Sequence, residues 1–296
     1  MRRREFVTLL GGASVAWPFA VRAQQGAMPV VGFLYTGSPE ADVVATFRKA
    51  LSETGYIEGQ NVAIEYRYAQ SDYNQLPELV TDLIARRASA IAAVGIPAVL
   101  AAKAATTTIP IIFTVGSDPV QIGLVASLNR PGGNLTGVST YAVGLEPKRL
   151  ELVHELLPMT TSIALLINPT NPNAATQTRD VQAAADTLGP QLNVLHATTE
   201  HDIEIAFATL LQLRAGALAI TTDGLFLSKS EQLAALAARH AVPAIFQYRK
   251  FAAAGGLMSY GAGVAETYRL FGICTGRILK VKSPPICRFS KLQKSS

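Results

Sequence analysis

The chain lacks the short motifs that announce nucleotide or acyl chemistry. Gly32 and Gly37 are too far apart after the first apolar run for a dinucleotide fingerprint, and the next acidic residue is poorly placed to hold a ribose. There is no phosphate-binding P-loop and no glycine-x-serine-x-glycine elbow, so nothing selects a Ser-His-Asp set from the scattered candidates. Histidine is scarce, at four residues. His196 and His201 straddle a strand end and a helix start and read as solvated loop residues, while His154 and His240 lie near helix ends. No metal, cofactor or catalytic residue is expected. Cysteine is limited to Cys274, in a helical pattern, and Cys287, in a basic terminal stretch, so a disulfide is not expected. After the first two dozen residues no apolar run is long enough to span a bilayer.

Charge of one sign is also missing from the body of the chain. The formal charge of +5 resides at the two ends. Arg2, Arg3, Arg4 and Arg22 fall in the leader, and Lys282, Arg288, Lys291 and Lys294 fall in the last 16 residues. Between them stand 18 basic and 20 acidic residues, so no nucleic-acid surface is expected. The leader has an arginine pair followed by x-Phe6, then an uncharged run from Val7 to Val21 diluted by Gly11, Gly12 and Ser14, then Val21-Arg22-Ala23. Small residues at the cleavage positions and a short, weakly apolar core read as an export signal over 1–23, of twin-arginine type. The expected location is periplasmic.

What remains is long enough for two domains. It alternates β-rich runs with helical periodicity. Pro29 to Leu34, Asn61 to Tyr68, Ala90 to Val94 and Ile109 to Val115 read as strands, separated by helices carrying Val44, Phe47 and Leu51, then Leu76, Leu79, Val80 and Leu83, then Pro97 to Ala105. After a pause near Gly137-Val138-Ser139 the alternation resumes, with strands at Ile163 to Ile167, Leu192 to Leu195, Ala217 to Thr221 and Pro243 to Phe246. Such alternation implies parallel sheets with crossover helices. The expected architecture is α/β, two Rossmann-like lobes over 24–141 and 142–256, with 257–280 (a strand at Leu257 to Tyr260 and a helix at Ala265 to Leu279) returning to the first.

In open parallel sheets ligands gather where strand carboxyl ends meet helix starts. Those places are Tyr35 to Ser38, Gly95-Ile96, Gly116 to Asp118, Asn168 to Asn171, and Thr221 to Gly224, all rich in Gly, Ser, Thr, Asn and Asp. The same residue types cap helices, so any one loop has a bland reading. Five at matching edges of two lobes point to a cleft. Asp118 and Asp223, one per lobe, could each pair an ammonium or serve only as a turn or cap.

The blocks RRREFVTLLGG, PVVGFLYTGSPE, LSETGYIEGQNVAIEYRYA, GSDPVQIGLVASLNRPGGNLTGVS, KRLELVHELLP, INPTNPNA and GGLMSYG, spread from Met1 to about Lys280, resemble the substrate-binding proteins of ABC transporters, in particular those for tryptophan and other aromatic or branched amino acids. The resemblance implies a type I periplasmic-binding fold and a non-enzymatic receptor that captures a small solute, an amino acid, between closing lobes for the membrane permease of an ABC importer, working as a monomer. Alternatives are a solute-sensing partner of a membrane signalling protein and a periplasmic α/β hydrolase. Carried onto this chain, the ligand-binding positions are Tyr35, Thr36, Gly95, Ser117, Asp118, Asn168, Asn171, Thr222 and Asp223, with Tyr35, Tyr141 and Phe226 as the apolar wall. Relatives often carry Asn where this chain has Gly224, which removes an amide from the expected pocket. The family also continues into a final strand and helix where this chain reads VKSPPICRFSKLQKSS. That departure implies a frameshifted, truncated gene or a sequencing error, and a basic, disordered tail over 281–296.

Overall fold

The computed structural model describes residues 28–261 and 263–281; the expected leader, Cys287 and nearly all of the expected tail lie outside the described residues. The first lobe is a parallel sheet of β1 (Val30–Tyr35), β2 (Ala63–Tyr68), β3 (Ala90–Val94), β4 (Ile111–Val115) and β5 (Leu135–Ser139), in the order β2-β1-β3-β4-β5. β3, β4 and β5 are buried along their whole length, which is why β3 and β4 read as apolar runs rather than alternating ones. The crossover helices are α1 (Ala41–Glu53), α2 (Leu76–Ala85) and α3 (Ile96–Ala105). The period-two rule divides each strand between two cores. Val31, Phe33 and Tyr35 face Phe47 and Leu51 of α1, whereas Leu34 points the other way, toward Val80 and Leu83 of α2 and Val99 of α3.

The second lobe repeats the plan with β6 (Ser162–Ile167), β7 (Gln191–His196), β8 (Ala217–Ile220), β9 (Ala244–Phe246) and β10 (Met258–Ser259). Its order, β10-β9-β8-β6-β7, is the first lobe's order read from the opposite edge. Its helices are α4 (Glu146–Leu156), α5 (Ala174–Leu188), α6 (Glu200–Gln212), α7 (Gly224–Ser228), α8 (Ser230–Arg239) and α9 (Arg249–Ala253). α6 starts at a capping box, in which Thr199 accepts from the Asp202 backbone and Asp202 reaches back to the Thr199 N–H. The last helix, α10 (Val264–Lys280), returns to the first lobe and packs Phe271, Cys274 and Ile278 onto the face that α1 covers.

Three expectations need correction. The pause at Gly137 is a strand, β5; a side chain there would strike the Phe113 carbonyl of β4, so glycine marks close strand approach rather than a break. Met258–Ser259 does not return to the first lobe but extends the second sheet beside β9, so only α10 crosses back. Cys274 is disulfide-bonded rather than unpaired. No helix among the described residues is long and apolar enough to cross a membrane.

Phe271 is fully buried, with its ring 5.3 Å from Phe47, 6.3 Å from Phe33 and 6.3 Å from Tyr268. Phe271→Ala is expected to destabilise the protein by about 3–5 kcal/mol in chemical denaturation. A loss below about 1 kcal/mol would contradict the assignment of α10 to the first-lobe core.

Candidate functional site

In both sheets the strand order reverses direction beside the first strand, at β1/β3 and at β6/β8. At these switch points neighbouring crossovers leave on opposite faces, and a crevice opens at the strand carboxyl ends. The two crevices face each other across one cavity of about 100 Å³, partly open to solvent. The first lobe lines it with Tyr35 and Thr36 after β1, Gly95 and Ile96 after β3, and Thr114 to Gly116 at the end of β4. The second lobe contributes Asn171 after β6, Thr222 to Gly224 after β8, and Gln247 and Tyr248 after β9. Thr267 and Tyr268 of α10 complete the wall.

The lobes stand closed. Tyr73, from the first lobe, donates its hydroxyl to Asp223 Oδ2 of the second at 3.0 Å. Leu227 of α7 is buried in the first lobe's core cluster. Gly224 meets the β1 loop so closely that an added Cβ would lie 2.8 Å from Thr36 Oγ1. Thr36 is also pinned from behind by Gly95, whose φ of +88° favours glycine and whose Cβ would again come within 2.8 Å of Thr36 Oγ1. The glycine at 224 therefore gives the lobes room to meet.

Among the described residues, Asp223 is the single charged one lining the cavity, and it is 4% exposed. Its Oδ1 accepts from Asn168 Nδ2 at 3.2 Å and from the Leu225 N–H at 2.8 Å; its Oδ2 accepts from Asn171 Nδ2 at 2.6 Å and from Tyr73. Four donors fill the four lone-pair sites of a carboxylate, yet all are neutral, and among the described residues no Lys, Arg or His pairs with it. Burial pushes the Asp223 carboxyl up from its ordinary value, against the pull of those hydrogen bonds.

Beneath Asp223 lies a second buried network. Glu146 Oε1 accepts from the Thr222 N–H at 2.8 Å and Gln177 Nε2 at 2.8 Å, with Arg149 Nη2 at 3.4 Å. Arg149, 1% exposed, also donates to the Ala142 and Tyr260 carbonyls and to Thr222 Oγ1, each at 3.2 Å. Thr222 in turn donates to Gln247 Oε1 at 2.6 Å. Burial pushes Glu146 up to about 7, with Arg149 and the hydrogen bonds opposing it.

Six of the ten expected positions line the cavity: Tyr35, Thr36, Gly95, Asn171, Thr222 and Asp223. Asn168 does not; it lies behind Asp223 and orients it. Ser117, Asp118 and Tyr141 also lie outside the lining. Asp118 Oδ1 accepts from the backbone N–H groups of Val120 and Gln121, and its Oδ2 from the Tyr141 hydroxyl at 3.3 Å, so this acid closes its own turn. Phe226 is fully buried in the second lobe's core, not on the cavity wall. Tyr73, Gln247, Tyr248, Thr267 and Tyr268 were missed. Gln247 and Tyr248 follow the strand Pro243 to Phe246, so the strand-end rule applied there would have found them; Tyr73 and α10 reach the cavity only through tertiary packing.

Two outcomes follow from this geometry. Since Glu146 binds a proton more readily folded than unfolded, its contribution to stability declines as pH rises from about 4.5 to about 7 and is flat above, a loss of up to about 3 kcal/mol. Glu146→Gln should remove that part of the slope in denaturation curves taken across this range; an unchanged slope would refute it. Gly224→Val should hold the lobes apart, raising the radius of gyration in solution scattering relative to wild type, whereas an unchanged radius would show that the β1 loop gives way.

The sequence profile described as "ABC transporter substrate binding protein" matches residues 35–295. The "Tyrosine-binding protein" of Clostridioides difficile (strain R20291) is 30% identical over 215 residues, 73% of this chain, and the match spans 61% of that relative's length. A conserved domain protein from Vibrio cholerae superposes with a TM-score of 0.78 at 24% identity, covering 87% of this chain and 86% of that one. An ABC domain from Streptococcus pneumonia in complex with L-Trp superposes with a TM-score of 0.77 at 22% identity over 90% of each chain. The paired five-stranded sheets and the cavity between them have their explanation in this kinship: the chain belongs to the ABC transporter substrate-binding protein family.

Proposed function

We propose that the protein is the exported, periplasmic receptor of an ABC importer and that its solute is an α-amino acid, with aromatic side chains the first class to test. The carrying observation is the Asp223 carboxylate, buried at the cavity with neutral donors and no cation beside it. A ligand ammonium that takes the place of the Tyr73 hydroxyl at Oδ2 supplies that missing positive charge, and it is worth most in such a low-dielectric site. The α-carboxylate faces the N-terminus of α3, where Gly95 and Ile96 line the cavity and the helix dipole favours negative charge. The hydroxyls of Thr36 and Thr114 stand on the same wall. Tyr35, Tyr73, Tyr248 and Tyr268 offer aromatic surface to an apolar side chain. The tyrosine-binding relative and the L-Trp complex support the amino-acid class. Delivery to a permease, a monomeric state and a twin-arginine leader belong to the same proposal.

The test is thermal unfolding of the purified protein against a panel of amino acids and other small metabolites. An amino acid at a hundredfold excess over its Kd should stabilise the protein by about 2.7 kcal/mol. Asp223→Asn should weaken that binding by at least about tenfold. A panel with no amino acid among its stabilisers, or turnover of a member, would sink the reading.

A further inference from the structure

Gln247 has no role so far, and its surroundings assign one. It is 3% exposed and lines the cavity at the end of β9. Its Oε1 accepts from Thr222 at 2.6 Å, while its Nε2 is buried without a hydrogen-bond partner. A chain of bonds runs behind the amide. Arg149 has only donors, so Thr222 Oγ1 must accept from it. The Thr222 hydroxyl donates to Gln247 Oε1, which leaves the Nε2 donor turned away from Thr222. Proton polarity thus runs one way, from Arg149 through Thr222 to Gln247.

We propose that Gln247 reads the solute's carboxylate, its Nε2 donating to one carboxylate oxygen, with Thr222 and Arg149 as positioning residues that fix the amide's orientation. This rests on the amino-acid reading above. A buried donor left unpaired is costly, so a solute oxygen placed there gains more than the bond alone. Asp223 and Thr222 are consecutive, so the carboxylate and the ammonium are read from one loop and its immediate partner. With the N-terminus of α3 across the cavity, the carboxylate takes donors from both lobes, and binding favours closure.

Calorimetry with L-tryptophan and with tryptamine, which lacks the carboxylate, tests this directly. Gln247→Leu should lower L-tryptophan affinity by roughly tenfold or more and leave tryptamine affinity unchanged. Gln247→Glu keeps the acceptor for Thr222 but presents a second acceptor to the solute, and it should lose L-tryptophan affinity in the same way. Thr222→Val should reproduce the selective loss, and Thr222→Ser should restore it. Equal losses for both compounds, or none for L-tryptophan in either correctly folded Gln247 variant, overturn the proposal. Wild-type protein that binds neither compound overturns the reading of an aromatic amino acid as the solute and this proposal with it.

Discussion

A carboxylate taken out of water beside no cation is the constraint around which this cleft is arranged. Asp223 starts the short helix α7 and lies on the cavity wall, and its charge is tolerated only because four neutral donors converge on it. Two of them come from the Asn168-Pro169-Thr170-Asn171 loop after β6, which explains why that loop is polar at both asparagines. One comes from the helix's own backbone, and one crosses from the other lobe through Tyr73. Opening the lobes removes the Tyr73 bond. Asp223 then regains access to water, and its cost in the closed state is what a cationic group on a solute offsets.

The same loop joins a second polar layer, in which Glu146, Arg149, Gln177 and Gln247 are almost wholly removed from solvent and Thr222 is half-buried. Such a layer contributes less to stability than apolar packing of equal volume, because both charges are desolvated and Glu146 is pushed up accordingly. Its value is geometric. Bonds from Arg149 to the Ala142 and Tyr260 carbonyls and to Thr222 tie the segments that pass between the lobes to the loop after β8. The lobe junction and the cavity floor are therefore one connected structure.

Most of the architecture was legible because parallel, doubly covered strands are long apolar runs and their helices show clear periodicity. β5 escaped because Gly137 interrupts the run, although the glycine is there for close packing against β4. β10 was assigned to the wrong sheet because two residues of strand carry no information about their partner. At the site, residues directly after β1, β3 and β8 were found by the strand-end rule. Asp118 was not separable from Asp223 by sequence, since both follow a strand; the difference is that Asp118 folds onto its own turn while Asp223 faces the opposite lobe. Tyr73, Thr267 and Tyr268 come from outside the strand ends, and only the closed packing brings them to the cavity.

The central claim is that a solute ammonium completes the Asp223 site. The measurement that bears on it most directly is a pair of dissociation constants for the unmodified protein, for L-tryptophan and for indolepropionate, which keeps the ring and the carboxylate but has no amine. The account predicts that L-tryptophan binds at least about tenfold more tightly. Equal affinities, or tighter binding of indolepropionate, would contradict it.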